Sequence, residues 1–315
     1  MLDSKKWLRV LICSVALLRQ PHKGVVCIGD PPAAAPCRLP SRSLFALPII
    51  FNYTHWDPSP EMFSFPIPIL GRPILWYGFF FALGFAASYY VFLYLLRPLI
   101  GSKAKQYAEG LSFYVILGTL IGARLFDVFF YQSPSVYLDD PWMIVKVWEG
   151  GLASHGGVLG IIAAVYLFCR KHRALSFLKT LDLLSIVCGL AAACIRIGNF
   201  VNQEILGTIT NVPWAVVFGH PADHSVPAPR HPVQLYEAVF YLALFAFLFF
   251  YVRKKGWREG RTTGLTLILI FAFRFFIEFF KEEQSRLLHA GGIDMAQFLS
   301  LPLLLIGFYL AFRRR

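Results

Sequence analysis

From Arg196 to Glu204 the chain reads Arg-Ile-Gly-Asn-Phe-Val-Asn-Gln-Glu, where a long apolar run over 181–195 gives way to a polar segment. An arginine, two asparagines and a glutamate leave the apolar phase there within nine residues. A charged side chain near the bilayer centre costs about 2.5–3.5 kcal/mol on insertion scales, so it persists only where it is paired, hydrated or used. Two uses fit this stretch: a polar site at a helix end, or an arginine that snorkels and anchors the helix.

Other polar residues interrupt apolar sequence in the same manner. Arg274 and Glu278 are spaced i,i+4, and Arg124 and Asp127 i,i+3, so each pair can neutralise itself on one helical face; for Arg124 that structural use is favoured. His155 lies between the glycine pairs Gly150-Gly151 and Gly156-Gly157, which permit close approach of a helix or a ligand. Arg230-His231-Pro232-Val233-Gln234-Leu235-Tyr236-Glu237 opens another apolar run, and Trp76-Tyr77-Gly78 opens the first. Arginine binds phosphate through two parallel N–H bonds, and histidine can accept a proton near neutral pH. Anion binding with proton transfer is therefore the chemistry on offer. No G-x-S-x-G, H-E-x-x-H, P-loop or Asp-rich metal motif occurs, and the six cysteines form no C-x-x-C pair, so neither a cofactor nor a metal is expected. Cys169, Cys188 and Cys194 read as small buried hydrophobes.

The surrounding composition is that of a helical integral membrane protein: 57% hydrophobic and 15% charged residues, against about 25% charged in a soluble domain. Seven apolar runs approach membrane-spanning length, at 76–96, 111–131, 151–169, 181–200, 236–252, 264–280 and 297–312. An all-α protein of about seven transmembrane helices is expected. The net charge of +12 does not indicate nucleic acid, because the basic residues follow the connections. Alternate connections collect fifteen Lys and Arg on one side, from Arg97 through Arg170 and Arg253 to Arg315. The other side has five: Arg72, Lys146, Arg230, Lys281 and Arg286. By the positive-inside rule, residues 48–75 lie outside and the C-terminus in the cytoplasm. Residues 1–47 are basic and proline-interrupted, and they read as a dispensable extension or a mis-assigned start preceding a 48–315 membrane domain.

Within this topology Arg124, Arg196 and Arg274 are the three cations inside spans. Six of the seven runs bring polar or tyrosine side chains to the same outer-leaflet depth. A shared site there suits an anionic phospholipid headgroup, and a transporter or binding protein for anions or anionic lipids would use similar residues. A transporter of that kind commonly shows an internal repeat or paired broken helices; neither is found.

Taken in order, the motifs resemble one family. Trp76-Tyr77-Gly78, Gly122-Ala123-Arg124-Leu125, Gly150-Gly151-x-x-x-His155-Gly156-Gly157, and Arg196-Ile197-Gly198-Asn199-Phe200-x-Asn202-x-Glu204 carry the resemblance through the first four spans. Val212-Pro213-Trp214-Ala215, Arg230-His231-Pro232-x-Gln234-Leu235-Tyr236-Glu237 and Phe273-Arg274-Phe275-x-x-Glu278-Phe279-Phe280 extend it. Residues from about 50 to 315 resemble the prolipoprotein diacylglyceryl transferases. The resemblance implies a bacterial inner-membrane enzyme with its site facing the outer leaflet. It would move the diacylglyceryl group of phosphatidylglycerol onto the lipobox cysteine of a prolipoprotein signal peptide and release glycerol phosphate. It also implies a functional set of Tyr77, His155, Arg196, Asn199, Glu204, Arg274 and Glu278. His155 is the best-placed base for the thiol, since the other histidines near the outer side lie in loops or beside Pro232; the alternative is that His155 only positions the lipid and the arginine field alone depresses the thiol pKa. Arg124, His231, Gln234 and Glu237, in the same motifs, join the substrate-binding candidates. The chain departs from the family pattern at Ile195 and Gln203, where glycine is usual, at Ser154, often aromatic, and at Lys281, often arginine.

Overall fold

The computed structural model describes residues 52–63, 73–130, 140–145, 154–282 and 295–313. The 1–47 segment, Gly150-Gly151, and Arg72, Lys146 and Arg286 of the charge count lie outside the described residues. Among the described residues are seven α-helices: α1 (Trp76–Ile100), α2 (Ala104–Phe130), α3 (Ser154–Lys171), α4 (Phe177–Val201), α5 (Val233–Lys255), α6 (Arg261–Ile277) and α7 (Met295–Phe312). Each coincides, within a few residues at its ends, with one of the apolar runs. Four helical stretches are long and apolar enough to cross a bilayer: Trp76–Phe129, Phe177–Val201, Val233–Lys254 and Arg261–Phe280, with a shorter apolar helix at Ser300–Phe312. The first stretch is α1 and α2 joined by a 3-10 turn at Gly101–Lys103. The turn has a local cause. Pro98 removes a helical donor in the last turn of α1, and Gly101 takes φ +58, returning its N–H to the Arg97 carbonyl.

Large apolar side chains such as Tyr90, Phe129 and Leu305 are about 70% exposed along the helices, as expected where hydrocarbon replaces water. Burial therefore cannot drive helix association, and close packing must. The helices associate chiefly as α2 with α3, α1 with α4, α4 with α5, and α6 with α7. Gly118 and Gly122 on α2 face Gly156 and Gly160 on α3 with backbone against backbone; a Cβ on any of the four would enter its neighbour. Gly156 thus serves helix contact. The sequence also allowed it to leave room for a ligand, but that space is filled by the Gly122 carbonyl and Phe126.

Polar residues remote from Arg196 have structural partners. Tyr107, Thr180 and Cys169 form a buried cluster tying α2, α3 and α4, with Tyr107 and Thr180 hydroxyls 2.8 Å apart. Asp182 caps a helix from outside it. Helix α6 starts at Gly260 (φ +82) and has no side-chain cap of its own. The fully buried Asp182 carboxylate on α4 accepts from Gly260 N at 2.7 Å, Thr263 N at 2.8 Å and Thr263 Oγ1 at 2.8 Å.

At the opposite end the chain builds a small sheet that the all-α expectation did not contain. Strands β1 (Thr54–Trp56), β2 (Val216–Phe218) and β3 (Pro229–Arg230) pair in that order, β1 parallel and β3 antiparallel to β2. Strands of two or three residues are too short for an alternating pattern to stand out in sequence. Phe200, Leu206, Val216 and Phe218 pack beneath the sheet with Trp56, whose indole N–H donates to the Phe200 carbonyl at 3.1 Å. The sheet is thereby seated on the end of α4.

Because Asp182 supplies the start of α6, Asp182→Ala is expected to destabilise the protein by on the order of 2 kcal/mol. Asn, which still accepts, should recover part of that loss. Thermal unfolding of the purified protein in detergent measures both; an unshifted Tm for Asp182→Ala would mean that the cap is dispensable.

Candidate active site

Helix α4 ends in the Arg196–Glu204 stretch, and its side chains bond one another in sequence. Arg196 Nη1 donates to Asn199 Oδ1 (3.3 Å), and Asn199 Nδ2 donates to Glu204 Oε2 (2.9 Å). Asn202 Nδ2 donates to the other Glu204 oxygen (3.2 Å). The i,i+3 spacing of Arg196 and Asn199 puts both on one helical face, while the turn after Val201 folds Glu204 back beneath them. Gln234 on α5, fully buried, donates to the Glu204 carbonyl at 2.7 Å and fixes that turn to the next helix. Tyr77, at the start of α1, packs on Gly198, and the charges of Arg196 and Glu204 both reach its hydroxyl.

Glu237 joins this group to a second one. It is 1% exposed and lies one turn into α5, with Arg196 Nε 3.0 Å from Oε2 and Lys281 Nζ 2.9 Å from Oε1. The Arg196 N–H is not aligned with Oε2, which accepts no hydrogen bond, so that contact is Coulombic. Lys281 also lies 3.8 Å from Glu278 Oε2. Lys281 reaches this position because the chain at 206–208 runs beside 278–282, with Thr208 N donating to the Phe280 carbonyl (2.9 Å) and Glu282 N to that of Leu206 (3.1 Å). Gly207 makes this approach possible, since a Cβ there would meet the His231 and Phe280 carbonyls. Sequence reasoning placed Lys281 among loop cations and omitted it from the site. Its i,i+3 spacing from Glu278 was the available signal.

Arg274 differs from the other cations. It is half-buried on α6, whose rotation is fixed one residue earlier by Phe273 stacked on Phe240 of α5 (centroids 3.8 Å apart, planes within 4°). The expected Arg274–Glu278 pair does not form, and Arg274 has no ion-pair or hydrogen-bond partner among the described residues; Glu278 turns to Lys281. The charges of Glu237, Arg196 and Arg274 all act on the Tyr241 hydroxyl of α5. Seven buried side-chain atoms lack a hydrogen bond among the described residues, and four of these gather here: Asn202 Oδ1, Gln234 Oε1, Glu237 Oε2 and Glu278 Oε2. All four are acceptors, so the site has one uncommitted cation and a deficit of donors.

The remaining candidates have other surroundings. Arg124, buried, donates through Nε to the Ile144 carbonyl (3.0 Å) and through Nη2 to that of Met143, and it lies 3.6 Å from Asp127. It clamps the 3-10 segment Pro141–Ile144 between α2 and α3, in keeping with the structural use favoured from its spacing. His155 falls in the first turn of α3, and its side chain lies outside the described residues. His231 precedes α5 in a chain of three side chains. Trp214 Nε1 can only donate, and it does so to the Tyr236 hydroxyl (2.7 Å). The same hydroxyl is 3.2 Å from His231 Nδ1. Desolvation pushes the His231 pKa below the ordinary histidine range, which keeps the ring neutral.

Gln203, where the related pattern has glycine, adopts φ +55, the left-handed region glycine enters without cost. Its buried amide offsets this by bridging two segments: Nε2 donates to Asp57 Oδ1 (3.2 Å), and Oε1 accepts from His220 N (2.8 Å). His220 Nδ1 is 2.6 Å from the same Asp57 oxygen. Hydrogen bonds from His220 and then Gln203 hold the Asp57 carboxyl below its usual range.

Comparison with known proteins places this arrangement. The sequence profile of the prolipoprotein diacylglyceryl transferase family matches residues 65–313. A phosphatidylglycerol–prolipoprotein diacylglyceryl transferase of Chloroherpeton thalassium is 42% identical over 266 residues, covering 83% of this chain and 94% of the relative. Proteins of the same name from Porphyromonas gingivalis and Tolumonas auensis are 39% and 42% identical, covering 82% and 78% of this chain and 93% of each relative. The chain is a multi-pass membrane protein that belongs to the prolipoprotein diacylglyceryl transferase family.

Proposed function

We propose that the protein transfers the diacylglyceryl group of phosphatidylglycerol to the cysteine thiol of a prolipoprotein lipobox. The relatives' names supply the two substrates. The observation that carries the reading is the Arg274 guanidinium, unpaired among the described residues at the end of the bundle where four buried acceptors lack hydrogen bonds. The phosphate takes the guanidinium, and the hydroxyls of the glycerol headgroup supply donors. In the reaction a carbon–sulfur bond forms at the glycerol carbon bearing the phosphate ester. The carbon–oxygen bond breaks, and glycerol phosphate leaves with the electron pair. Arg274 stabilises the charge growing on that leaving group, and Arg196, held by Glu237 and Asn199, adds its field from beside it. The thiol proton passes to His155, since a cysteine of pKa about 8.5 is only a few per cent thiolate at neutral pH.

The reading includes seven spans in the inner membrane, the N-terminal side of α1 outside, the C-terminus cytoplasmic, and the site at outer-leaflet depth. The asymmetry of fifteen against five basic residues and the seven helices support it. Residues 1–47 are proposed to lie outside the catalytic unit; the family match from residue 65 agrees. Purified protein should release glycerol phosphate only when a lipobox peptide is present. Release or lipid movement without peptide would instead indicate a carrier or a phospholipase.

Lysine cannot reproduce the guanidinium fork. Arg274→Lys should lower transfer about ten- to hundredfold, the loss of one charge-assisted hydrogen bond in the transition state, with little change in Tm because Arg274 has no partner among the described residues. Arg196→Lys should lower both rate and Tm, since its fork serves Asn199 and Glu237. Wild-type rates in both variants would refute the phosphate assignment.

Glu237→Gln leaves Arg196 and Lys281 facing each other around a neutral amide, with an expected cost of about 3–5 kcal/mol. Adding Lys281→Met should restore part of the stability. Thermal unfolding of the two single variants and the double variant tests this; strict additivity would dissolve the proposed coupling.

A base at His155 gives the pH–rate profile an acid limb in the histidine range, absent in His155→Gln, whose residual rate should rise with thiolate fraction. Because burial lowers the pKa of His231, any limb surviving at lower pH is assigned by His231→Gln. An acid limb unchanged in His155→Gln removes the base from His155.

A further inference from the structure

The end of the bundle away from Arg196 holds a second group of cations for which this reaction has no use. A cavity of about 270 Å³ opens between the start of α6 and the end of α7, lined by Arg258, Glu259, Arg261, Leu310, Ala311 and Arg313. None of its three guanidinium groups has an ion-pair partner among the described residues. Arg313 donates through Nη2 to the Glu259 carbonyl at 3.1 Å and lies over Gly260, while its Nε is buried with no acceptor. Arg261 rests its guanidinium 5.7 Å from the centroid of the Tyr251 ring, a contact that leaves the N–H edge available. Arg258 is exposed at the rim.

Glu259 faces the same space without pairing to any of the three, so two positive charges remain uncompensated. The amides that open α6 are no part of the attraction, because the Asp182 carboxylate already occupies Gly260 N and Thr263 N. The cavity thus offers positive charge and one buried donor, Arg313 Nε, to a ligand carrying acceptors on a small anionic group, and guanidinium geometry matches phosphate. Leu310 forms an apolar wall and follows, one turn on, Ile306, which is 48% exposed on α7. A phosphate in the cavity would thus sit beside a surface suited to acyl chains. We infer that this cavity binds a phosphate ester at the membrane surface remote from the Arg196 site, the headgroup of an anionic phospholipid being the source that the apolar wall favours. The inference needs only the membrane embedding and is independent of the transferase reaction.

Native mass spectrometry of the full chain, released from phosphatidylcholine nanodiscs doped with phosphatidic acid, tests it. The wild type and Arg274→Gln should both retain a phosphatidic acid molecule at this cavity. Arg258→Gln/Arg261→Gln/Arg313→Gln should weaken that binding at least about tenfold. Arg258→Gln alone removes an exposed group without internal bonds and should weaken it measurably in a folded protein, so the test survives if the triple variant misfolds. Inorganic phosphate added to protein in pure phosphatidylcholine separates the sources. A thermal shift equal to that from the lipid assigns free phosphate, and its absence assigns the headgroup. Undiminished retention in both arginine variants, or retention of phosphatidylcholine as strong as that of phosphatidic acid, overturns the inference.

Discussion

One buried carboxylate organises the site end of the molecule. Glu237 is nearly inaccessible, and an isolated charge there would be costly, so its two flanking cations are obligatory partners. Arg196 comes from the end of α4 and Lys281 from the segment after α6, so satisfying one carboxylate fixes three parts of the chain relative to α5. That requirement also explains Arg274. With Glu237 and Glu278 both turned toward Lys281, the fourth charged neighbour is left without an internal anion. A protein built for stability alone would neutralise it or replace it; here it remains beside acceptors that lack donors. The charge of Arg274 and the unmet acceptors are the features that the proposed phosphate and its glycerol hydroxyls would answer.

The rest of the fold keeps these helix ends in register. In lipid, helices gain nothing from leaving a hydrocarbon phase, so close contact and satisfied polar groups must do the work. The glycines on α2 and α3 bring two backbones together below the first turn of α3, where His155 stands. Asp182 ties α4 to α6 at the far end, on the two helices that carry Arg196 and Arg274. Fixing both helices about 20 Å from the site limits how far their arginines can tilt apart.

Much of this was legible in sequence. A run of apolar residues long enough to span a membrane admits one regular structure, so the seven helices followed from hydropathy. Arg196, Asn199 and Glu204 could be grouped because helical spacing and an abrupt end place them together. Partnership across helices was not legible. Nothing local indicates that Arg274 declines Glu278, or that Glu237 rather than an incoming phosphate takes Arg196 Nε. The same limit applies to Asp182, whose donors lie 78 and 81 residues away, and to strands β1 and β2, whose pairing joins residues over 150 apart.

Gln203 shows how a local departure is absorbed by such long-range partners. A side chain at φ +55 costs roughly 1–2 kcal/mol relative to glycine. On spacing alone, glutamine there would displace the turn that presents Glu204. The turn is kept because the amide is used twice, against Asp57 before α1 and His220 after β2. Those bonds are of the size needed to offset the strain. They also tie the β1 segment and the loop after β2 to the turn carrying Glu204, and hence to Asn199 and Arg196. The substitution therefore exchanges backbone freedom for side-chain tethers and leaves the site geometry resting on Asp57 and His220.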